Sequence, residues 1–213
     1  MGSIIDNALE YAKKTFESDY SGHDFFHTLR AYKMATRIAK EEKADIEIVQ
    51  LAILLHDVDD IKLSPDTHAN KDRARLFLLE NNVDKDTIDT ICQIIDEVTY
   101  KGKDSVTPNT LEGKCVQDAD RLDAMGAIGI ARAFAYGGNH NRIMHNPNIE
   151  PHLNMNAEEY VKSKSTTINH FYEKLFNLKK LMNTNSARLI AQSREAYMKK
   201  YIAEFMDEWD GIK

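Results

Sequence analysis

The sequence has few cysteines, prolines and glycines: two, four and nine, respectively, among 213 residues. Cys92 and Cys115 stand alone, without the CxxC spacing of a zinc or redox site, which argues against a disulfide framework and a zinc finger. Because so few helix-breaking residues interrupt long amphipathic stretches, the composition favours a helical protein. We expect both cysteines to be reduced residues of the core.

Long apolar runs are also missing. No uninterrupted stretch approaches the roughly 20 residues that a membrane-spanning helix needs. The N-terminus lacks the basic start and apolar centre of a signal peptide, and position 6 is Asp, where a myristoylation signal requires Ser or Thr. The sequence therefore predicts a cytoplasmic protein with no membrane partner.

An excess of basic over acidic residues is also missing. The net charge is -6, and the first 156 residues hold 18 basic against 26 acidic side chains. A nucleic-acid-binding surface requires a stripe of Lys and Arg that displaces counterions, so the charge argues against a nucleic acid polymer as partner. A small anion held by a few local cations is compatible with this charge.

Helical periodicity covers most of the chain. No β-hairpin signal, internal repeat or linker divides it, so we predict a single all-α domain over residues 1–213, with a bundle core and packing helices in 157–213. Residues 137–156 form the longest irregular segment, a candidate lid over a site. The first two predicted helices cover residues 3–16 and 23–40. The third runs from the cap at Asp45 to residue 60, the fourth covers residues 67–82, and the fifth runs from the cap at Asp84 to residue 98. Residues 110–136 are predicted to form one or two helices, and two long helices are predicted over residues 157–182 and 185–209.

In residues 48–60, IVQLAILLHDVDD, an apolar helical run of the kind found in protein cores is followed directly by His56 and three acidic residues. The C-terminal end of a helix carries partial negative charge, so each carboxylate there is unfavourable by roughly 0.3–1 kcal/mol. His56 continues the apolar stripe of Val49 and Ala52, and a buried imidazole beside Asp57 needs a partner. We expect a divalent metal beside this helix end; a polar helix terminus next to a surface loop is the alternative.

Another predicted helix places His23, His27 and Arg30 on one face. A histidine pair at this spacing can chelate a metal, but the Glu of the HExxH peptidase motif is absent, so a peptidase is disfavoured. The alternative is that these histidines cap the helix or line the core.

Two acids, Asp120 and Asp123, interrupt the apolar stripe of residues 116–127, VQDADRLDAMGA, whereas Asp118 lies on the opposite side of that helix. Carboxylates on a buried face are unfavourable unless they are paired or bound to a metal. A structural Asp–Arg or Asp–His pair is the alternative to metal binding.

The pieces GHDFFHTLR, LLHDVDD and VQDADRLDAMGAIGIARAF, in this order within residues 20–136, resemble the HD-domain metal-dependent phosphohydrolase superfamily. The resemblance implies an all-α bundle and makes His27, His56, Asp57 and Asp120 the metal ligands. It also makes Asp60 a candidate for orienting the attacking water or passing its proton, although some relatives carry the longer Glu at that position.

The chemistry that the resemblance implies is hydrolysis of a small phosphate ester or anhydride, preferably of a nucleotide, by water activated on one divalent metal ion. Two His and two Asp suit Mn²⁺, Mg²⁺, Fe²⁺, Ni²⁺ or Zn²⁺. Fixed cations must hold the phosphate oxygens. Lys62 and Arg30 are the candidates, with His23 as a further donor, and each could instead be a solvated surface group. Asp59 is expected to be an exposed loop acid.

Two other functions stay open: a nucleotide-binding regulatory module without turnover, and a di-iron HD-type oxygenase, which would need ligands for a second metal.

The aromatic residues near the C-terminus recur at helical spacing and indicate either core or the surface of a homodimer. They include Phe171, Phe176, Tyr197, Phe205 and Trp209.

The remaining histidines have no ligand-like neighbours in the sequence, so we predict that most of them are ordinary loop or surface residues. They are His68, His140, His145, His152 and His170. The alternative for His140 and His145 is that their loop, together with Arg142, closes on the metal site and selects the substrate.

Overall fold

Polar side chains set the start of many helices. Ser3, Asp24, Asp45 and Asp84 each accept a hydrogen bond from a backbone N–H in the first turn of the helix that follows, where these N–H groups have no intrahelical partner. The computed structural model describes residues 2–17, 24–60, 64–100, 102–156, 158–159, 163 and 165–213. Its α-helices are α1 Ile4–Thr15, α2 Phe25–Glu42, α3 Ile46–Leu55, α4 Asp72–Glu80, α5 Lys85–Val98, α6 Leu111–Asp123, α7 Gly126–Asn139, α8 Thr167–Glu173 and α9 Asn185–Trp209.

The described residues also contain two short 3-10 helices, Gly102–Asp104 and Leu175–Leu181. No β-strand occurs in the described residues, so the all-α prediction is confirmed. Across the same residues, no helix is both long enough and apolar enough to traverse a lipid bilayer.

The helices fall into two compact units, and the first is built around α3. This unit comprises Met1–Thr99 and Val106–Asp120. Within it α3 packs against α1, α2 and α5, and Val49 and residues 51–55 are at most 1% exposed. A helix covered on most sides must be apolar on most sides, which accounts for the nearly unbroken apolar run. Since each buried Leu or Ile contributes about 1.5–3 kcal/mol, the end of α3 is firmly anchored.

The second unit comprises Tyr100–Ser105 and Arg121–Lys213. In it α7 packs on α8 and α9, and Phe134 of α7 meets Phe171 of α8 and Phe205 of α9 at ring-centroid distances of 6.3 and 6.1 Å. Phe171 is fully buried, whereas Trp209 is 46% exposed. Core packing thus accounts for part of the aromatic pattern. The single-domain organisation and the homodimer stay predictions.

The predicted helix over residues 157–182 is wrong in its middle. Residues 158–159 are helical, but Ser165 and Thr166 are not, and residues 175–181 form a 3-10 helix. Thr166 Oγ1 accepts a hydrogen bond from Asn169 N at 3.0 Å, and Ser165 Oγ donates to Glu173 Oε1 at 2.7 Å. Hydroxyl groups that bond in this way favour a cap over a helix interior. Among the described helices of the C-terminal region, only α9 is long, and its bounds are the predicted ones.

The backbone accounts for two further boundaries, and the first of them differs from the prediction. The fourth helix begins at Asp72 rather than near residue 67, because residues 65–71 form turns that end at Lys71 in the left-handed region, with φ of 57°. The stretch 110–136 is two helices, since Gly126 adopts φ of +73°, which glycine tolerates without strain. A Cβ on Gly126 would also lie 3.1 Å from Arg194 Cγ.

Candidate metal centre

The turn after α3 carries the His-Asp dipeptide. His56 caps α3 with φ of -62° and ψ of -32°, and the chain then turns, with Val58 N donating to Leu55 O at 3.3 Å and Asp60 N to Asp57 O at 3.0 Å. Neighbouring helical positions point about 100° apart, so only at a helix end can both reach one ion. The side chains of His56 and Asp57 are 5% and 12% exposed.

Four side chains from three parts of the first unit converge at this turn. His27 Nε2 lies 3.5 Å from both Asp57 Oδ2 and Asp120 Oδ1. His56 Nε2 lies 3.1 Å from Asp57 Oδ2 and 3.8 Å from Asp120 Oδ1. The ligand atoms of His27, His56 and Asp57 all lie within 4.8 Å of one another, and this group could hold a metal ion. The structure therefore brings together the four residues predicted as ligands.

The ring of His56 is held in the tautomer that a metal ligand needs. Its Nδ1 lies 2.8 Å from the carbonyl oxygen of Ile53, and because a carbonyl only accepts, Nδ1 carries the hydrogen. The neutral ring then has its lone pair on Nε2, which is buried and makes no hydrogen bond to any described residue. Backbone carbonyls orient metal-bound histidines in this way.

Positive charge is required between His56 and the two carboxylates, because a lone pair facing a carboxylate oxygen at 3.1 Å is repulsive. Without a metal, that charge is a proton. Burial lowers the pKa of His56, but the negative charges of Asp57 and Asp120 outweigh burial and raise the pKa to about 9. A divalent cation would supply the same positive charge in place of the proton. Imidazole nitrogens together with carboxylate oxygens are suitable ligands for first-row metals. The donor set fits a metal ion.

The start of α2 fixes the position of His27. Asp24 caps the helix by accepting the His27 backbone N–H at 2.7 Å. Ala31 and Ala35, both fully buried, allow close packing where α2 contacts α3. His27 is 1% exposed, so its imidazole must find its polar partners inside the protein.

The three acids near the end of α6 have different surroundings. The side chain of Asp120 is 28% exposed and lies beside two imidazoles. Asp123 forms an ion pair with Arg132 at 2.8 Å, which is the structural Asp–Arg pair considered from the sequence. Asp118, on the opposite side of the helix, is fully buried rather than facing solvent. Among these acids, only Asp120 lies near both histidines in the described structure.

The structure describes two of the four residues predicted to act on water or phosphate. Asp60 is half-buried, and the turn holds its backbone through Asp57 O and through Ser64 N, which donates to Asp60 O at 2.7 Å. Arg30 is half-buried on α2, three residues after His27. His23 and Lys62 lie outside the described residues, so their roles stay predictions.

Asp59 is not the exposed loop acid that the sequence suggested. It is 1% exposed, and its two carboxylate oxygens accept hydrogen bonds from Arg73 N at 3.2 Å and Ala74 N at 3.0 Å. Because α4 has no side-chain cap of its own, Asp59 supplies the missing acceptors from fourteen and fifteen residues away. No local sequence signal marks a cap at that distance.

The segment between Asp59 and α4 is tied to the same turn. His68 Nδ1 lies 2.8 Å from Asp59 O, and Lys71 Nζ contacts His68 O at 2.5 Å and Asp96 Oδ1 at 2.6 Å. Lys71 is 4% exposed, so its ammonium group is compensated within the protein. His68 therefore has a structural contact that the sequence did not reveal.

Known proteins resemble this chain over nearly its full length. The HD domain profile matches residues 24–125, which include all four convergent residues. A protein from Lactobacillus plantarum is 39% identical with a TM-score of 0.88, covering 99% of this chain and 98% of that one. An HD-superfamily hydrolase from Bacillus thuringiensis is 40% identical with a TM-score of 0.76, covering 97% and 96%. YpgQ from Bacillus subtilis, solved in complex with ADP, is 32% identical with a TM-score of 0.76, covering 98% and 100%.

Proposed function

Because this chain belongs to the HD superfamily, we propose that it is a metal-dependent phosphohydrolase that cleaves a phosphate ester or anhydride bond of a nucleotide. The observation that carries the proposal is the convergence of His27, His56, Asp57 and Asp120 at the end of α3. Two imidazoles and two carboxylates in this arrangement are typical of sites for divalent first-row metals.

In this proposal the four residues hold one divalent ion, which is Mn²⁺, Mg²⁺, Fe²⁺, Ni²⁺ or Zn²⁺. Such an ion supplies a bound water of lowered pKa and neutralises charge on the phosphoryl group. His56 offers Nε2 because its Nδ1 is engaged with Ile53 O. Among the described residues, His27, His56 and Asp57 form the one such group of potential ligands, which favours one ion per chain.

Asp60 takes the proton of the attacking water. The turn hydrogen bonds hold its backbone three residues after Asp57, and a carboxylate can act as general base. Arg30, which follows His27 on the same helix, contributes a permanent positive charge for the phosphate oxygens. Lys62 and His23 are proposed for the same purpose from their positions in the sequence.

Two observations support a nucleotide as the substrate. YpgQ, which is 32% identical to this chain, was solved in complex with ADP. The net charge of -6 disfavours a nucleic acid polymer, whereas a mononucleotide needs only a few local cations. The substrate is therefore a small anion.

The test is a hydrolysis assay on nucleoside mono-, di- and triphosphates, with the protein loaded with each metal in turn. Orthophosphate released from a monophosphate indicates ester cleavage, and pyrophosphate released from a triphosphate indicates cleavage of the α–β anhydride. Asp57→Ala should lose both metal and activity, while Asp86→Ala, at an exposed acid of α5, should behave as wild type. The proposal is wrong if no nucleotide is turned over with any metal.

The same samples distinguish the two other functions. A nucleotide that binds tightly and is never hydrolysed would indicate a regulatory module. Two irons per chain by elemental analysis would indicate an oxygenase.

A further inference from the structure

Two open apolar grooves adjoin each other in the second unit, and no described residue proposed for hydrolysis lines either of them. Their volumes are about 450 and 360 Å³. Tyr172 of α8 and Met206 of α9 line both grooves and form the border between them. Phe176 and Ile202 continue the wall of the first groove, and Ile149, in the segment after α7, continues the wall of the second. The two grooves therefore form one continuous surface.

Large apolar side chains at the border and rim of these grooves face solvent. Tyr172 is 41% exposed and Ile149 is 37% exposed. Trp209, which contacts His145 in the wall of the second groove, is 46% exposed. Contiguous exposed apolar patches beyond a few hundred Å² commonly mark interaction sites, and Tyr, Trp, Phe and Met are enriched in protein interfaces. The surface thus has the composition of a protein interface.

The charged side chains in the described walls are one base and one acid, and each lies in a different groove. Lys199 lines the first groove and Glu150 lines the second, and both residues are exposed. Lys199 Nζ lies 3.3 Å from Glu195 Oε1, one turn earlier on α9, and an exposed pair of this kind is worth at most about 1 kcal/mol. A further acid can therefore approach Lys199. Within the described part of the chain, Glu150 has no ion-pair partner.

This arrangement of charge is complementary to itself. In a dimer with a twofold axis, both subunits use the same patch, and each residue contact occurs twice. An axis at the border formed by Tyr172 and Met206 exchanges the two grooves, so the first groove of one subunit faces the second groove of the other. Lys199 of each subunit then lies opposite Glu150 of the other, and the apolar walls cover one another.

The distribution of charge along the chain also favours contact through this unit. Residues 121–213, which make up most of it, hold 13 basic and 10 acidic side chains, whereas residues 1–120 hold 15 basic and 24 acidic side chains. Because like charges on two copies repel each other, self-association through the acidic first part of the chain is opposed. The nearly balanced second unit carries little such penalty.

We propose that this chain forms a homodimer through the two grooves, with Lys199 of each subunit paired with Glu150 of the other. The residues lining the grooves supply about half of the roughly 20–30 residues that each side of a standard interface uses, and their rim supplies the rest. Since interfaces at the lower end of the size range are typically weak, we expect a dissociation constant in the micromolar range.

Sedimentation equilibrium of the full chain, from low micromolar to submillimolar concentration, measures this association. Wild type should pass from monomer to dimer. Ala203→Glu places a charge in the wall of the first groove at an exposed position of α9, and it should weaken the dimer by a factor of at least about ten. Ala135→Glu, at an exposed alanine of α7 that lines neither groove, should dimerise as wild type. Circular dichroism verifies that both variants keep the wild-type helix content.

Charge reversals test how the two subunits are aligned. Glu150→Lys and Lys199→Glu each place like charges opposite one another at two points of the dimer, so each should weaken self-association about tenfold. An equimolar mixture of these two variants should form a heterodimer, because both pairs then have opposite signs again. The double variant Glu150→Lys/Lys199→Glu should dimerise as wild type for the same reason.

Three results would overturn the proposal. A wild-type chain that stays monomeric at submillimolar concentration would mean that the grooves are covered by something else, such as another protein or a lipid surface. Ala203→Glu that dimerises as tightly as wild type would place the interface elsewhere. A mixture of the two reversal variants that associates no better than either variant alone would exclude the pairing of Lys199 with Glu150. The measurements need neither metal nor nucleotide, so their outcome is independent of the proposed hydrolysis.

Discussion

At the residue scale, His56 makes metal binding depend on pH. Although burial lowers its pKa, the charges of Asp57 and Asp120 raise the pKa to about 9 in the metal-free protein. A metal needs the Nε2 lone pair, so loading near neutral pH must displace a proton. Since the site is protonated below pH 9, the apparent affinity should rise about tenfold per pH unit up to that value and then level off.

Calorimetric metal titrations near neutral pH, in two buffers of different protonation enthalpy, should show about one proton released per ion. Asp57→Asn removes one of the charges that raise the pKa of His56 and should release fewer protons while binding the metal more weakly. A wild-type affinity that is constant from neutral pH to pH 9 would contradict this assignment.

A second prediction concerns Asp60. Asn has nearly the same size but cannot take a proton, so Asp60→Asn should keep the metal and lose about 10²–10⁴-fold in turnover. The measurement is kcat together with metal content, and Asp86→Asn is the matched control at an exposed acid. Full turnover by metal-loaded Asp60→Asn would remove Asp60 from the mechanism.

At the element scale, Asp59 links the turn after α3 to the start of α4. Asp59→Ala would leave the part-buried N–H of Arg73 and the buried N–H of Ala74 without their acceptor, which should lower the free energy of unfolding by about 1–3 kcal/mol. Asp59→Asn retains one acceptor oxygen and should lose less. Urea unfolding measures both variants, with exposed Asp66→Ala as the control that should match wild type. If Asp59→Ala is as stable as wild type, the long-range cap has no energetic role.

The elements that the sequence predicted well depend on local signals. Asp45 and Asp84 cap helices through N–H groups two or three residues away, so both starts could be predicted, and the regular pattern of α9 gave both of its ends. The convergence of His27, His56, Asp57 and Asp120 was implied by the resemblance of three motifs to the HD superfamily, because helix faces alone did not separate Asp120 from Asp123. Long-range contacts were not predictable: the acceptors for α4 come from Asp59, and His145 is packed against Trp209.

At the scale of the whole molecule, His170 should contribute to acid sensitivity. Burial, together with the positive charges of Lys174 and Arg142, lowers its pKa from 6.5 to about 3. Between these values the unfolded chain binds a proton that the folded chain does not, so the free energy of unfolding falls as the pH falls. The limiting slope is about 1.36 kcal/mol per pH unit, and because the ring is half-buried we expect a loss of about 1 kcal/mol at pH 5.

Comparing wild type with His170→Gln isolates this effect, because glutamine does not titrate and the opposite pKa shift of His56 is common to both proteins. Urea unfolding followed by the fluorescence of Trp209, which lies in the same unit as His170, should show that wild type loses about 1 kcal/mol more than the variant between neutral pH and pH 5. His140→Gln, at an exposed histidine, should keep the wild-type pH dependence. Equal losses in wild type and His170→Gln would mean that His170 is protonated in the folded protein at pH 5.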